Sequence, residues 1–139
     1  MSQLDPDLIQ AYRETHFVVL AQDPFTLRVG QRSEELLALH REVGVESSAY
    51  VTACNPFSRS LSAAENEARM AELRTWLREA GHPTREGIGK DPAGEWPGEP
   101  SVLVLGLTRA DSEALGRRLE QNAVVFMASD AMPELLLLR

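Results

Sequence analysis

The sequence predicts an α+β fold, a single-domain sandwich in which a mixed or mainly antiparallel sheet of about five to seven strands carries helices packed on it. Three observations lead there. Short β-branched or aromatic runs recur between turn residues, as strands do. Capped segments with apolar residues at helical spacing stand among them. Residues 101–107 form a continuous apolar run, the mark of a central strand buried on both faces. The length of 139 residues, with 43% apolar and 25% charged residues, suits one compact domain over residues 1–139 with a core that needs no staples.

The elements follow in order. Residues 7–14 carry Leu8, Ile9 and Tyr12 at helical spacing behind Asp5 and Pro6, an N-cap with proline in the first turn. Residues 17–21 and 25–29 read as strands joined by a turn at Gln22, Asp23 and Pro24. Ser33 caps a helix with Glu34 and Glu35 in its first turn, at the positive end of the dipole, and Gly44 stops it. A strand over residues 48–53 ends at Asn55 and Pro56, since proline cannot continue a ladder. Ser62 and Glu65 form a capping box, and that helix runs to about Ala80, with Gly81 closing it. The glycines and prolines of residues 87–100 predict a loop, with room for a short extended piece. After the apolar strand, Thr108 to Asp111 opens a helix that ends at Gln121 and Asn122, and residues 123–128 form a second buried strand. Such a strand-helix-strand unit suggests a right-handed crossover, either between a parallel pair or between strands that are not adjacent. Residues 135–138 make an edge strand or a docked tail.

Charge and composition narrow the partners. A net charge of −7 argues against sequence-independent nucleic-acid binding, which needs clustered Lys and Arg. Arg69, Arg74 and Arg78 share a helix, but Glu65, Glu67, Glu72 and Glu79 are interleaved with them, which reads as a solvated, salt-bridged face. Cys54 is the single cysteine, so no intramolecular disulfide or cysteine-built metal site is expected. His16, His40 and His82 show no metal-ligand spacing; no metal is expected. No cofactor is expected either, because Gly87, Gly89, Gly94 and Gly98 do not stand between a strand and a helix as a phosphate loop does. No signal peptide or bilayer-length apolar run is visible, so the expectation is a cytoplasmic protein that does not engage a membrane.

The candidate functional residues are polar side chains near predicted element ends. Asn66 falls at position one of the stripe completed by Met70, Leu73, Leu77 and Ala80, so its amide faces the core and must find hydrogen bonds. Two roles fit it: a brace for the turn at Asn55 and Pro56, or a ligand contact. Asn55 precedes proline, which favours extended backbone and leaves its side chain available for an Asx turn or for a ligand at the strand end. Cys54 is better read as a small hydrophobe than as a nucleophile, with no histidine near it in sequence. Trp96 in a Gly/Pro loop needs a core socket or a partner, and Glu99 beside it is a solvated carboxylate or an acid-base group with a raised pKa. Gln121 and Asn122 terminate a helix, or supply a pocket's amides.

Taken in order, Thr52, Ala53, Cys54, Asn55 and Pro56, then Glu65 and Asn66 with Arg69 and Leu73, then Trp96 and Pro97, Glu99, Pro100 and Ser101, then Gln121, Asn122, Ala123 and Val124 resemble a bacterial family catalogued as domain of unknown function 3293. The likeness extends from about Tyr12 to Ala128. Cys54 departs from it, since a bulkier, often aromatic residue is expected between the alanine and the asparagine. The resemblance implies a small bacterial cytoplasmic domain and no particular substrate, and it groups Asn55, Asn66, Trp96, Glu99, Gln121 and Asn122 as candidates for one pocket.

Three functions remain open on these residues. The first is a domain that binds a small polar ligand between the 52–66 turn and the 95–101 loop, walled by Trp96 and Phe57. The second is a small hydrolase or transferase using Glu99 as acid or base, with Asn55 and Asn66 orienting the substrate. The third is a protein-interaction module that meets its partner through the Trp96 loop.

Overall fold

A computed structural model describes residues 4–94 and 98–139. Helix α1 (Pro6–Glu14) leads into the hairpin β1 (His16–Leu20) and β2 (Phe25–Leu27). Helix α2 (Glu34–Val43) and strand β3 (Ser48–Val51) follow. A single 3-10 turn, Pro56–Ser58, precedes the long helix α3 (Ala63–Ala80). The chain then forms β4 (Thr84–Lys90), β5 (Glu99–Leu105), α4 (Arg109–Arg118), β6 (Ala123–Met127) and β7 (Pro133–Leu137).

The seven strands make one sheet in the order β2-β1-β4-β5-β3-β6-β7, and every adjacent pair is antiparallel. The α+β class is therefore correct, and the sheet lies at the antiparallel end of the predicted range. The β5-α4-β6 unit resolves to its second alternative: β3 lies between β5 and β6 and pairs with both, so the two run the same way without touching.

Local signals place the helices as expected. Asp5 caps α1, Ser33 caps α2 through the Leu36 amide, and Ser62 and Glu65 close the capping box of α3. Gly44 and Gly81 end α2 and α3 in the left-handed conformation that glycine adopts without a Cβ clash. Met70, Leu73 and Leu77 of α3 and Leu115 of α4 pack on one sheet face with Ala49, Val51, Val102, Val104, Val124 and Phe126. Alternate residues of the same strands, Tyr50, Leu103, Leu105, Val125 and Met127, face Leu36 and Leu39 of α2. Two-faced burial is what makes β5 read as an unbroken apolar run. His40 completes the α2 contact as a core-edge residue, 2% exposed, with Nε2 2.8 Å from the Ser48 hydroxyl.

Two expectations need correction. Residues 84–90 are a strand, where the glycines of residues 87–100 predicted loop from Gly87 onward. Gly87 sits where a Cβ would fall 2.6 Å from the Tyr50 hydroxyl and 2.7 Å from the Val18 carbonyl, so the strand needs a glycine to let Tyr50 cross it. The arginines of α3 are also less solvated than their pattern implies, for Arg69 and Arg74 are half-buried and bond to groups outside the helix. Arg74 pairs with Glu86 of β4 at 2.7 Å and Arg69 with Glu120 at 3.4 Å.

Candidate functional site

Antiparallel pairing brings the ends of β4, β3 and β7 and the starts of β1, β5 and β6 to one end of the sheet. The turn that follows β3 crosses this end. Its backbone is strained: Asn55, Phe57 and Ser58 have φ of 47°, 52° and 61°, a left-handed conformation that side chains other than glycine rarely take. Proline at the next position disfavours helical backbone for Asn55, so extended backbone was expected there, and the structure departs from that. Conformations of this kind cost of order 1–3 kcal/mol each and persist only where surroundings over-determine them.

The surroundings are visible. Asn66 accepts from the Asn55 backbone N–H at 2.9 Å and donates to Asn55 Oδ1 at 2.9 Å, so the inward amide of α3 does brace the turn. Asn55 Oδ1 also accepts from the Leu61 N–H at 3.0 Å. Gln121, 9% exposed, donates to the Cys54 carbonyl at 3.0 Å and to the Leu119 carbonyl at 3.3 Å. Arg69 donates to the Ala53 carbonyl and, at 2.7 Å, to the Leu119 carbonyl. The Phe57 N–H donates to the Glu120 carbonyl at 2.7 Å, with Glu120 itself at φ 59°. Asn122, 4% exposed, donates to the Ser58 hydroxyl at 2.9 Å.

Glu99 stands at the first position of β5, half-buried, and accepts from Asn55 Nδ2 at 3.0 Å. Burial pushes its carboxyl above the ordinary carboxylate range, while the Asn55 hydrogen bond pulls it back in part. The Cys54 thiol lies 3.6 Å from the Pro100 carbonyl oxygen and is likewise pushed up by burial, which disfavours the thiolate that a nucleophile requires. Thr52 links the two segments, donating to the Pro100 carbonyl at 2.7 Å and accepting from the Cys54 N–H at 3.1 Å.

Of the sequence-predicted residues, Asn55, Asn66 and Glu99 thus form one hydrogen-bonded chain, and Gln121 and Asn122 grip the same turn from the α4-β6 junction. Trp96 lies outside the described residues. Arg69 was read as part of a solvated face because its charged neighbours on α3 disguised it, and Tyr12 and Arg139 were not joined to the turn because they are far from it in sequence. Two clefts of 330 and 240 Å³ lie between α3 and α4 around Trp76 and Arg118; the second also borders Ala53, Arg69, Leu119 and Glu120, which grip the turn from behind, and neither is lined by Asn55, Asn66 or Glu99. Among the described residues no group of three or more His, Cys, Asp or Glu could hold a metal ion, and no helix is long and apolar enough to cross a membrane.

No curated protein and no solved structure matches the chain. A family model described as a protein of unknown function, DUF3293, matches residues 51–124, more than half of the chain. The matched stretch holds the strained turn, Asn66, Glu99, Gln121 and Asn122, and leaves out Tyr12 and Arg139. The chain belongs to the DUF3293 family.

Proposed function

We propose that the protein binds a small polar ligand at this end of the sheet, with Glu99 receiving a hydrogen-bond donor of the ligand and the Asn55 turn forming one wall. The observation that carries this reading is the Asn55-Glu99 contact. A half-buried carboxyl is costly to ionise, and a neutral amide would serve equally well as a mere acceptor for Asn55. Perturbed carboxyls supported by a fixed, hydrogen-bonded partner concentrate at functional sites. The strain of the turn supports the same reading, since residues held at left-handed φ cluster where side chains must be aimed.

A second reading is favoured by the same carboxyl. A glutamate with a raised pKa holds its proton to a higher pH than an ordinary carboxyl, so Glu99 would serve as acid or base in a small hydrolase or transferase. An interaction module built on the Trp96 loop is the third.

A thermal-shift screen of amines, amides, sugars and amino acids at millimolar concentration, run on the wild type and on Glu99→Gln, separates these readings. A ligand present at a hundred times its Kd stabilises by about 2.7 kcal/mol, an easily read shift. The expected result is a hit that stabilises the wild type and fails on Glu99→Gln. Equal stabilisation of both proteins would sink the role given to Glu99. A compound that still stabilises Glu99→Gln but is turned over by the wild type alone would move the case to catalysis.

A further inference from the structure

The two edges of the sheet differ in what they leave open. Strand β2 is three residues long and runs into the turn closed by the Arg28–Gln31 bridge, so it offers little to pair with. Strand β7 is longer and has β6 on one side and, among the described residues, no strand on the other. The direction of its backbone groups follows from their hydrogen bonds. The Leu138 N–H donates inward to the Asn122 carbonyl at 2.8 Å, whereas the Pro133 carbonyl points outward and accepts from the Gly30 N–H at 2.9 Å. These groups alternate along a strand, so in the register that sets Val125 against Leu135 and Ala123 against Leu137, the N–H and C=O of both leucines point outward too. Among the described residues those outward groups have no hydrogen-bond partner, and both leucines are part-exposed.

The open ladder is bounded on both sides. Pro133 has no N–H and its carbonyl is engaged by Gly30, and β7 itself ends at Leu137. What lies between is complementary to itself. Turned about a two-fold axis through Leu136, a second β7 runs antiparallel and sets Leu135 of each copy opposite Leu137 of the other, which satisfies every outward N–H and C=O. An axis through Leu135 would instead set Leu137 against Pro133, which has no N–H to give. Residues 135–138 are all leucine, with no charge or bulge of the kind that keeps natural edges unpaired. Helix α4 lies along the same strand, with Arg109 paired to Glu134 and Gly116 against Leu138. Its copies would flank the axis antiparallel, and because α4 carries Asp111 and Glu113 as well as Arg117 and Arg118, no block of like charge opposes the approach.

We propose that β7 is the docking edge for a second copy of this chain, paired antiparallel about Leu136 so that the sheet continues through the two-fold axis. The pairing is independent of the ligand reading above, since neither Leu135 nor Leu137 touches Glu99 or the Asn55 turn through a hydrogen bond.

The test is analytical ultracentrifugation of the wild-type chain from micromolar to submillimolar concentration, with amide hydrogen exchange followed at both ends of that range. The expected result is a mass rising from 15.4 kDa toward twice that value, with exchange at the Leu135 and Leu137 amides slowing as the mass rises. Leu137→Pro removes an outward N–H and leaves the β6 ladder intact, so it should stay at 15.4 kDa over the same range. Leu137→Lys keeps the amide but adds a charge to the edge, and should raise the concentration needed for pairing about tenfold. A wild-type mass of one chain throughout, or exchange at Leu135 and Leu137 that ignores concentration, overturns the proposal. So does a folded Leu137→Pro chain that pairs as the wild type does, because association would then run through another surface.

Discussion

Glu99 occupies a position where a charge is costly and a hydrogen bond from Asn55 offsets only part of the cost. That gives its stability contribution a definite sign. A carboxyl whose pKa is higher in the folded than in the unfolded protein contributes no penalty below the unfolded value, near 4.5, where both states are protonated. The penalty appears as pH rises past that value and is complete once pH exceeds the folded pKa. Glu99→Gln keeps an oxygen for Asn55 and removes the ionisation, so the ligand-free variant should melt above the wild type at pH 7. The gap should close as pH is lowered below about 4.5, as urea titrations at pH 4 and pH 7 would show. A variant less stable than the wild type at both values would mean that the Glu99 carboxylate is a net stabilising group. Sequence alone offered Glu99 as either solvated or perturbed; choosing between them required the burial that β5 and the turn impose. Asn66 was different, since its place on the α3 stripe already turned it inward toward the Asn55 turn.

Strand β4 shows why local pattern fails for some elements. Thr84, Arg85, Glu86, Gly87, Ile88, Gly89 and Lys90 offer two glycines and three charged residues, a composition that speaks against a strand. It is a strand because β1 and β5 pair with it on both sides, and because Gly87 makes room on one face. Tyr50 reaches from β3 across Ser101 of β5 and Gly87 of β4 to donate to the Val18 carbonyl at 2.9 Å. Burial pushes the Tyr50 hydroxyl well above its ordinary pKa, so it remains a proton donor throughout the working range. Gly87→Ala should therefore destabilise by about 1–3 kcal/mol, the usual cost of overpacking, read as a lower denaturation midpoint. Tyr50→Phe should not rescue it, since a ring carbon at 2.8 Å and the Val18 carbonyl at 2.7 Å would still crowd the new methyl. Full rescue by Tyr50→Phe would show that the hydroxyl alone sets the demand for glycine. The ends of α2 and α3, by contrast, were legible, because Ser33, Gly44, Ser62, Glu65 and Gly81 specify them through contacts only a few residues long, whereas α4 stops at Arg118, short of the expected end at Gln121 and Asn122.

At the scale of the molecule, an antiparallel sheet in the order β2-β1-β4-β5-β3-β6-β7 collects segments that sequence keeps apart. Tyr12 and Asn122 are 110 positions apart, and Ser58 lies 46 from one and 64 from the other, so no local pattern could have joined them. Strand β7 is the edge on which both the sheet and this cluster depend. It covers β6, four of whose five residues are buried, and its Leu136 packs in the α3-α4 core. Just past it, the Leu138 N–H donates to the Asn122 carbonyl at 2.8 Å and sets Arg139 against Phe57. Ending the chain after Met132 would bare the β6 ladder, an apolar strand with unpaired amides and carbonyls and none of the charges that protect natural edges. The truncated protein should elute from size exclusion as oligomers or aggregates at micromolar concentration, whereas Arg139→Gln, which alters the cluster and leaves β7 in place, should elute as the wild type does. A truncated chain that matches the wild type in elution volume and in denaturation midpoint would mean that β6 tolerates exposure, and that β7 serves to place Arg139 rather than to complete the sheet.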